Sequence, residues 1–364
     1  MGIGKNGYYT GEDIRSHNAQ YNIIYSARSD GKSFDVKYYG LKRAWESKKA
    51  SVALIRRYQD DIKTDLVEKY FIERDINMIP IITDGAADSI LYYKGYLWFA
   101  KSGDKPEYIQ RCGEVFALSL ANKRYKSTGH PDIDYFIFEE FMTDEGYLSK
   151  EPDKLESIIS TCARKDEVRV YLIGNKVSRV SPYFKEWGLR NIKRQEMGTI
   201  DDYYHYTGAL DDNGKQIITK IAVEHVPPSP KKSKMFFGRS AKSIQGGEWE
   251  TNVYAPLPDD YDKFEEIYAL TYKSVTDFNF TVKLLVHTEK SYIVTFIYPA
   301  KREHERIITA AFDPDPMVTP SLDRKNPAEC MIHNCFVDNK VVYSDNLTGD
   351  DFKASCDSEV SYPF

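Results

Sequence analysis

Tyr21-Asn22-Ile23-Ile24-Tyr25-Ser26-Ala27-Arg28-Ser29-Asp30-Gly31-Lys32-Ser33-Phe34 is the stretch on which the reading of the whole chain turns. Residues 21–25 are mostly β-branched and aromatic, which predicts a strand. Residues 26–33 are small and turn-forming, so successive backbone N–H groups can point inward at a phosphate. Phe34, Tyr38, Leu41 and Trp45 then recur on a 3.6-residue period, and this single apolar face predicts a helix. A strand feeding a loop that ends in Gly31-Lys32-Ser33 at a helix N-terminus is the setting of a phosphate loop, because the helix dipole and the Lys32 amine then face the terminal phosphates of a nucleotide. The octet departs from G-x-x-x-x-G-K-[ST] at Ser26, where the first glycine is expected. Serine can stand there only if its backbone stays in an allowed region. Taken alone, the octet fits a Gly-Lys-Ser turn capping a helix equally well.

The flanking strand and helix favour the phosphate loop, and a second stretch bears on the same reading. Tyr135-Phe136-Ile137-Phe138 is an unbroken apolar run, as expected of a strand buried on both faces of a parallel sheet, and it ends in Glu139-Glu140. Two carboxylates at a C-terminal strand end sit beside the phosphate loop in a doubly wound sheet. Glu139, with the Ser33 hydroxyl, is then expected to hold Mg²⁺, and Glu140 to polarise the attacking water. An acidic pair that simply ends a strand in solvent is the plainer alternative. The functional reading requires Lys32 and the acidic pair to converge on one magnesium nucleotide from adjacent strand ends. Residues 168–173 predict another strand, closing on Gly174-Asn175. An asparagine there can hydrogen-bond the γ-phosphate or the attacking water, although Gly-Asn is also an ordinary turn pair.

The remaining pattern supplies the frame. Strands are expected at 51–55, 114–119 and 215–226, a hairpin at 90–93 and 96–99 around Lys94-Gly95, and helices at 59–74 (Ile62, Leu66 and Tyr70 inward) and 151–162 (Leu155, Ile158, Ile159 and Cys162 inward). Pro227-Pro228-Ser229-Pro230 marks a boundary. Lys231, Lys232, Lys234, Arg239 and Lys242 follow without an acid until Glu248, either a solvated linker or a phosphate contact. Beyond 259 the pattern predicts a helix at 261–270, strands at 280–286, 292–298 and 307–312, and a loose acidic tail over the last twenty residues. The expected division is 1–227, a basic linker 228–258, and a smaller α+β domain 259–364.

At 364 residues, 41% hydrophobic and 29% charged, the chain can build two or three domains with cores, which excludes wholesale disorder. A net charge of −5 argues against a chain coated with nucleic acid, so any DNA contact must be local. No apolar run is long enough to span a bilayer and residues 1–6 lack a signal-peptide core, which predicts a cytoplasmic protein. Five cysteines at unpatterned spacings suit reduced thiols, and Cys330, His333 and Cys335 fit no zinc spacing.

Four stretches carry a resemblance: 26–34, Leu54-Ile55-Arg56-Arg57-Tyr58, Phe136-Ile137-Phe138-Glu139-Glu140-Phe141, and residues 173–184 with their Asn-x-Val-x-x-Val-x-Pro-Tyr-Phe pattern. They resemble the DNA-packaging (encapsidation) ATPases of small tailed phages, the protein-primed podoviruses, a branch of the additional-strand (ASCE) P-loop ATPases. The resemblance is strong over about 20–185 and fainter beyond, through Met235-Phe236-Phe237-Gly238-Arg239 and the C-terminal strands. It implies an α/β fold, a RecA- and terminase-like parallel sheet followed by a smaller α+β domain of vestigial RNase H or nuclease type. It also implies ATP and Mg²⁺ as ligands and a homo-oligomeric ring, in this family pentameric. Such a ring drives double-stranded DNA through the portal of a procapsid, in the host cell cytoplasm and with no membrane partner.

Residue by residue, the resemblance implies a cradle of Ser26, Ala27, Arg28, Ser29, Asp30, Gly31, Lys32 and Ser33, with Arg28 acting on the phosphates in cis. Glu139 stands where the family usually has aspartate, and Glu140 matches the catalytic glutamate. Asn175 matches the residue that couples hydrolysis to movement. Arg164 is the expected arginine finger towards a neighbouring subunit, with Lys165 and Arg169 as alternatives. Lys126 and, more weakly, Arg124 are expected to touch DNA phosphates. Residues 280–286 hold no acid, and Asp277, Asp313 and Asp315 read as turn residues, which argues for a second domain that does not cleave. A non-catalytic DNA-binding or portal-adaptor protein with a degenerate P-loop, and a terminase with an active nuclease, are the alternatives; a small-molecule kinase fits least.

Overall fold

The computed structural model describes residues 7–26, 31–71, 76–121, 125, 129–130, 132–143, 146–162, 167–175, 180–210, 214–229, 252–274, 278–309, 313–357 and 364. The chain divides into two compact units, Met1–Met142 with Leu148–Lys176 and Asn191–Glu248, and Thr143–Tyr147 with Val177–Arg190 and Trp249–Phe364.

Along the chain the elements are α1 (Glu12–Ser16), β1 (Tyr21–Ser26), α2 (Lys32–Ser47), β2 (Val52–Arg56), α3 (Thr64–Tyr70), α4 (Met78–Ile82), β3 (Ser89–Tyr93), β4 (Tyr96–Lys101), β5 (Glu107–Ala117), β6 (Tyr135–Glu139), α5 (Glu151–Cys162) and β7 (Arg169–Asn175), then α6 (Pro182–Glu186) of the second unit, β8 (Thr199–Leu210) and β9 (Gln216–His225). The first unit is built on a nine-stranded sheet of order β3-β4-β5-β2-β6-β7-β1-β9-β8. From β5 to β9 every pairing is parallel, and antiparallel hairpins close both edges. β1, β2, β6 and β7 are buried almost end to end, because helices cover both faces of a parallel sheet and leave no solvent side for alternation. β7 lies between β1 and β6, the mark of an additional-strand P-loop fold. The expectation of adjacent strand ends is thereby corrected: the loop strand and the acidic strand are separated by the strand that carries Asn175.

Other expectations shift by small amounts. Residues 59–74 form a 3₁₀ turn at Gln59–Asp61 and the short α3, with 72–75 outside the described residues. Val67 and Phe71 face the core while Leu66 is 46% exposed, since one residue's error in phase turns a helix by about 100°. α2 likewise buries Val36, Gly40, Leu41 and Ala44 completely or nearly so, leaving Phe34, Tyr38 and Trp45 packed at the rim. At Gly40 an added Cβ would lie 2.6 Å from Tyr135 Cε1, so the helix rests directly on the ring of β6, whose hydroxyl donates to Val36 O at 3.1 Å. The Lys94-Gly95 hairpin has both φ positive, 52° and 92°, as a two-residue turn matched to the strand twist requires. β8 is a strand the pattern did not reveal, because its polar and half-exposed residues give no buried face.

The second unit holds β10 (Phe264–Lys273), β11 (Asn279–His287), β12 (Ile293–Pro299), β13 (Ile307–Ile308), β14 (Val318–Thr319), α7 (Pro327–Val337), β15 (Val341–Tyr343) and α8 (Asn346–Asp357). Its sheet runs β14-β13-β10-β11-β12-β15. β10, β11 and β12 form an antiparallel meander, and β13 and β14 continue parallel to β10. This is the third-second-first-fourth-fifth order of an RNase H-type sheet, with β15 added beside β12. The helix expected at 261–270 is a 3₁₀ turn followed by β10: Tyr261, Phe264 and Tyr268 mimic a helical period, but pairing with β11 from Phe264 to Lys273 decides. The tail is not loose over 346–357, where α8 buries Phe352 and Cys356 against the sheet; 358–363 lie outside the described residues. Among the described residues no helix is long and apolar enough to cross a membrane.

Candidate nucleotide site

Ser26 is the last residue of β1, fully buried, with a negative φ and paired in register with Asn175 of β7. The chain is still extended here, so no glycine conformation is needed, and the hydroxyl accepts a hydrogen bond from Lys32 Nζ at 2.6 Å. Gly31 does need to be glycine: its φ is 89°, and it turns the chain into α2. Among the described residues no side chain caps α2, which leaves its first-turn N–H groups open to an external acceptor. Lys32 is 5% exposed and sits on that first turn, with the partly exposed Ser33 beside it. Ala27, Arg28, Ser29 and Asp30 lie outside the described residues.

The acids arrive from β6. Glu139 pairs with Ile173 of β7, which pairs with Ile24 of β1, so the acid stands level with the chain two residues before Ser26. Parallel strands lie about 4.8 Å apart, which puts β6 roughly 10 Å from β1. Glu139 Oε1 is buried and has no hydrogen-bond partner among the described residues. An open acceptor of this kind costs about 1–3 kcal/mol and is relieved by a cation or a donor. Glu140 is exposed, with a φ of 55° unusual for a side chain of its size. Asn175 is partly exposed at the tip of β7, alongside Ser26. Gly174 serves close approach rather than a turn, since a Cβ there would meet the rings and chains of Phe141 and Met142 at 2.8 Å.

Behind the loop, Glu224 of β9 stands level with Ile24 and is 2% exposed. Tyr9 Oη donates to its Oε2 at 2.7 Å. Burial pushes the Glu224 carboxyl up to about 7, against the pull of the Tyr9 hydroxyl, and burial together with Glu224 pushes Tyr9 well up. Arg15 Nη1 donates to Asp35 Oδ2 at 2.5 Å. Sequence alone did not single out Glu224; a lone acid in the apolar run of β9 is the signal that would have found it.

The site thus gathers Ser26, Gly31, Lys32, Ser33, Glu139, Glu140 and Asn175 at the C-terminal ends of three neighbouring strands. Arg169 is not among them. It begins β7, and six residues of strand place it about 20 Å from Asn175. There its Nη2 donates to Asn18 Oδ1 at 2.5 Å. Arg124, Lys126, Arg164 and Lys165 lie outside the described residues. In the second unit, Asp313 accepts from Lys273 Nζ at 2.7 Å, which holds its carboxyl below the usual range, and Asp315 accepts from Met317 N at 2.9 Å as a turn residue does. Asp277 lies outside the described residues.

A family model described as the podovirus DNA encapsidation protein (Gp16) matches residues 3–196. The chain belongs to this family. Encapsidation proteins similar to it include the DNA packaging proteins of Bacillus phage phi29 and Bacillus phage PZA, each 24% identical over 199 residues, which is 54% of this chain and 54% of the relative. The alignment therefore spans about half the length of these curated relatives. A solved structure described as the bacteriophage Phi-29 viral genome packaging motor assembly superposes with a TM-score of 0.54 at 18% identity, covering 93% of this chain and 95% of that one, a likeness of fold.

Proposed function

We propose that this encapsidation protein hydrolyses ATP and couples the hydrolysis to movement of double-stranded DNA through a portal into a procapsid. The observation that carries the reading is the buried Oε1 of Glu139, without a hydrogen-bond partner among the described residues, two strands over from the strand that leads to Lys32 on the first turn of α2. Glu139 and Ser33 are the residues that would hold Mg²⁺, which would neutralise phosphate charge as the terminal bond breaks. Lys32 and the first-turn amides orient the phosphates and favour their negative charge. Glu140, exposed on the solvent side, accepts a proton from the attacking water. Asn175, paired with Ser26, contacts the γ-phosphate or that water and transmits its loss to β1 and β7.

On the same reading Arg28 acts in cis, Arg164 reaches the nucleotide of a neighbouring copy in a pentameric ring, and Lys126 and Arg124 touch the DNA backbone without reading sequence. The site of action is the host cytoplasm, on the procapsid. The RNase H-type unit would then serve docking or grip, with Asp313 and Asp315 occupied in an ion pair and a turn.

The test is ATP turnover by the purified chain with Mg²⁺ and duplex DNA. Turnover that Glu140→Gln abolishes is the expected result; its absence in the parent chain overturns the proposal. One observation favours a second reading, a nucleotide-binding adaptor: the longer arm of Glu139 where an aspartate is usual. That reading gives nucleotide binding without turnover.

A further inference from the structure

Glu140 is held in a left-handed backbone conformation, φ 55°, and a specific contact accounts for its persistence. Arg57, the residue after β2, reaches across to the end of β6. Its Nη1 donates to the carbonyl of Glu140 at 3.1 Å and its Nη2 to the carbonyl of Phe141 at 3.0 Å. The same guanidinium is gripped by Glu151, the first residue of α5, with Nε donating to Oε2 at 2.9 Å and Nη2 to Oε1 at 3.0 Å. Glu151 is fully buried, and its Oε2 also accepts from Leu148 N at 2.9 Å, which anchors the segment returning from the acidic strand. The planar fork of an arginine satisfies a carboxylate and two carbonyls at once; a lysine presents a single point charge and cannot.

From this geometry we infer that Arg57, locked by Glu151, is a positioning residue that sets the backbone of Glu140 and so aims its carboxylate at the attacking water. The inference rests on the ATPase reading of the same site and adds a residue that touches neither nucleotide nor metal. It gives a role to the second arginine of Leu54-Ile55-Arg56-Arg57-Tyr58, which the phosphate chemistry leaves unused. A left-handed backbone at a glutamate costs on the order of a few-fold to a hundredfold in population unless its surroundings over-determine it. The two carbonyl bonds from Arg57 supply that restraint. Without them the peptide is free to relax to an ordinary φ, which re-aims the side chain. The loss falls on the chemical step, since the phosphate cradle of Gly31, Lys32 and Ser33 is built on another strand and another helix.

The experiment compares the full chain with Arg57→Lys, Glu151→Gln, Glu140→Gln and the double variant Arg57→Lys/Glu140→Gln, measuring ATP turnover with Mg²⁺ and DNA, affinity for a fluorescent ADP analogue, and thermal midpoint. Arg57→Lys and Glu151→Gln are expected to lower kcat about tenfold to a hundredfold while KM and analogue affinity stay within about threefold. In the Glu140→Gln background the Arg57 change is expected to cause no further loss, because the group it positions is already gone. Turnover of Arg57→Lys at the parent rate overturns the inference, as does a loss matched in KM and analogue affinity or one that persists undiminished without Glu140. Absence of any turnover in the parent chain overturns the ATPase reading and this inference together, so the two failures are told apart by the parent alone.

Discussion

Glu329, on the first turn of α7 in the second unit, and Glu139, at the end of β6 in the first, are both acids with buried oxygens, and they are treated in opposite ways. Glu329 is 1% exposed, and its two oxygens accept from Arg306 Nε and Nη2 at 2.8 and 2.9 Å, from Tyr268 Oη at 2.7 Å and from Asp323 N at 2.6 Å. Its carboxyl is held below the usual range by Arg306 and these donors although burial opposes them. Glu139 keeps one buried oxygen without a hydrogen-bond partner among the described residues. A saturated carboxylate belongs to the architecture, whereas an open one beside a helix N-terminus is available to a ligand. The difference teaches where to look for chemistry in a chain with 55 acidic residues: at the acids that the fold leaves unsatisfied.

The sharpest way to break that comparison is kinetic. Glu140→Gln should lower ATP turnover by about 10²–10⁴-fold with no change in thermal midpoint, because the side chain is exposed and acts only on water; steady-state assays and a melt check both. Arg306→Met should do the reverse. It leaves Glu329 buried and unpaired, costs about 3–5 kcal/mol in denaturant unfolding of the second unit, and leaves turnover per folded molecule near the parent's. If Arg306→Met proves kinetically silent and thermodynamically neutral, the second unit's carboxylate is not the structural one the geometry describes.

Glu224 sharpens the contrast within the first unit. Its carboxyl titrates near 7 when folded against an ordinary value of 4.5, so the native state holds this proton after the unfolded chain has released it. Stability therefore falls as pH rises from about 4.5 to about 7 and is level above that. Glu224→Gln keeps an acceptor for Tyr9 and removes the fall, a gain of ~3 kcal/mol over the parent at pH 8 that vanishes at pH 4. Urea midpoints at the two pH values measure it. The smallest effect is expected at Ser26→Gly, which restores the usual P-loop glycine. It loses the hydroxyl that Lys32 contacts and about 0.5–1 kcal/mol of strand stability, with KM for ATP changed less than about threefold.

Much of the first unit was legible because its signals are local. The hairpin turn at Lys94-Gly95, the helix at Glu151–Cys162 and the apolar strand before Glu139 each announce themselves in a handful of residues. What escaped was set by distant partners. Phe264–Lys273 reads equally as helix or strand until β11 pairs with it, and β8 is carried by its ladder with β9 rather than by a buried face of its own. The site followed the same rule. Lys32, Glu139 and Asn175 were found by motif, but the order β6-β7-β1, the buried Glu224 and the grip of Arg57 depend on which strands become neighbours, and spacing along the chain does not record that.

Gly40 is a poor helix former in the middle of α2, where alanine would be favoured by about 1 kcal/mol. It is tolerated because only a bare Cα lets the helix lie on the Tyr135 ring. α2 is therefore riveted to the strand that ends in Glu139, and β7, paired with that strand along its length and laying Tyr171 against Tyr135, belongs to the same plate. An alanine at position 40 would jam a wedge between helix and ring, and the whole plate would take the displacement.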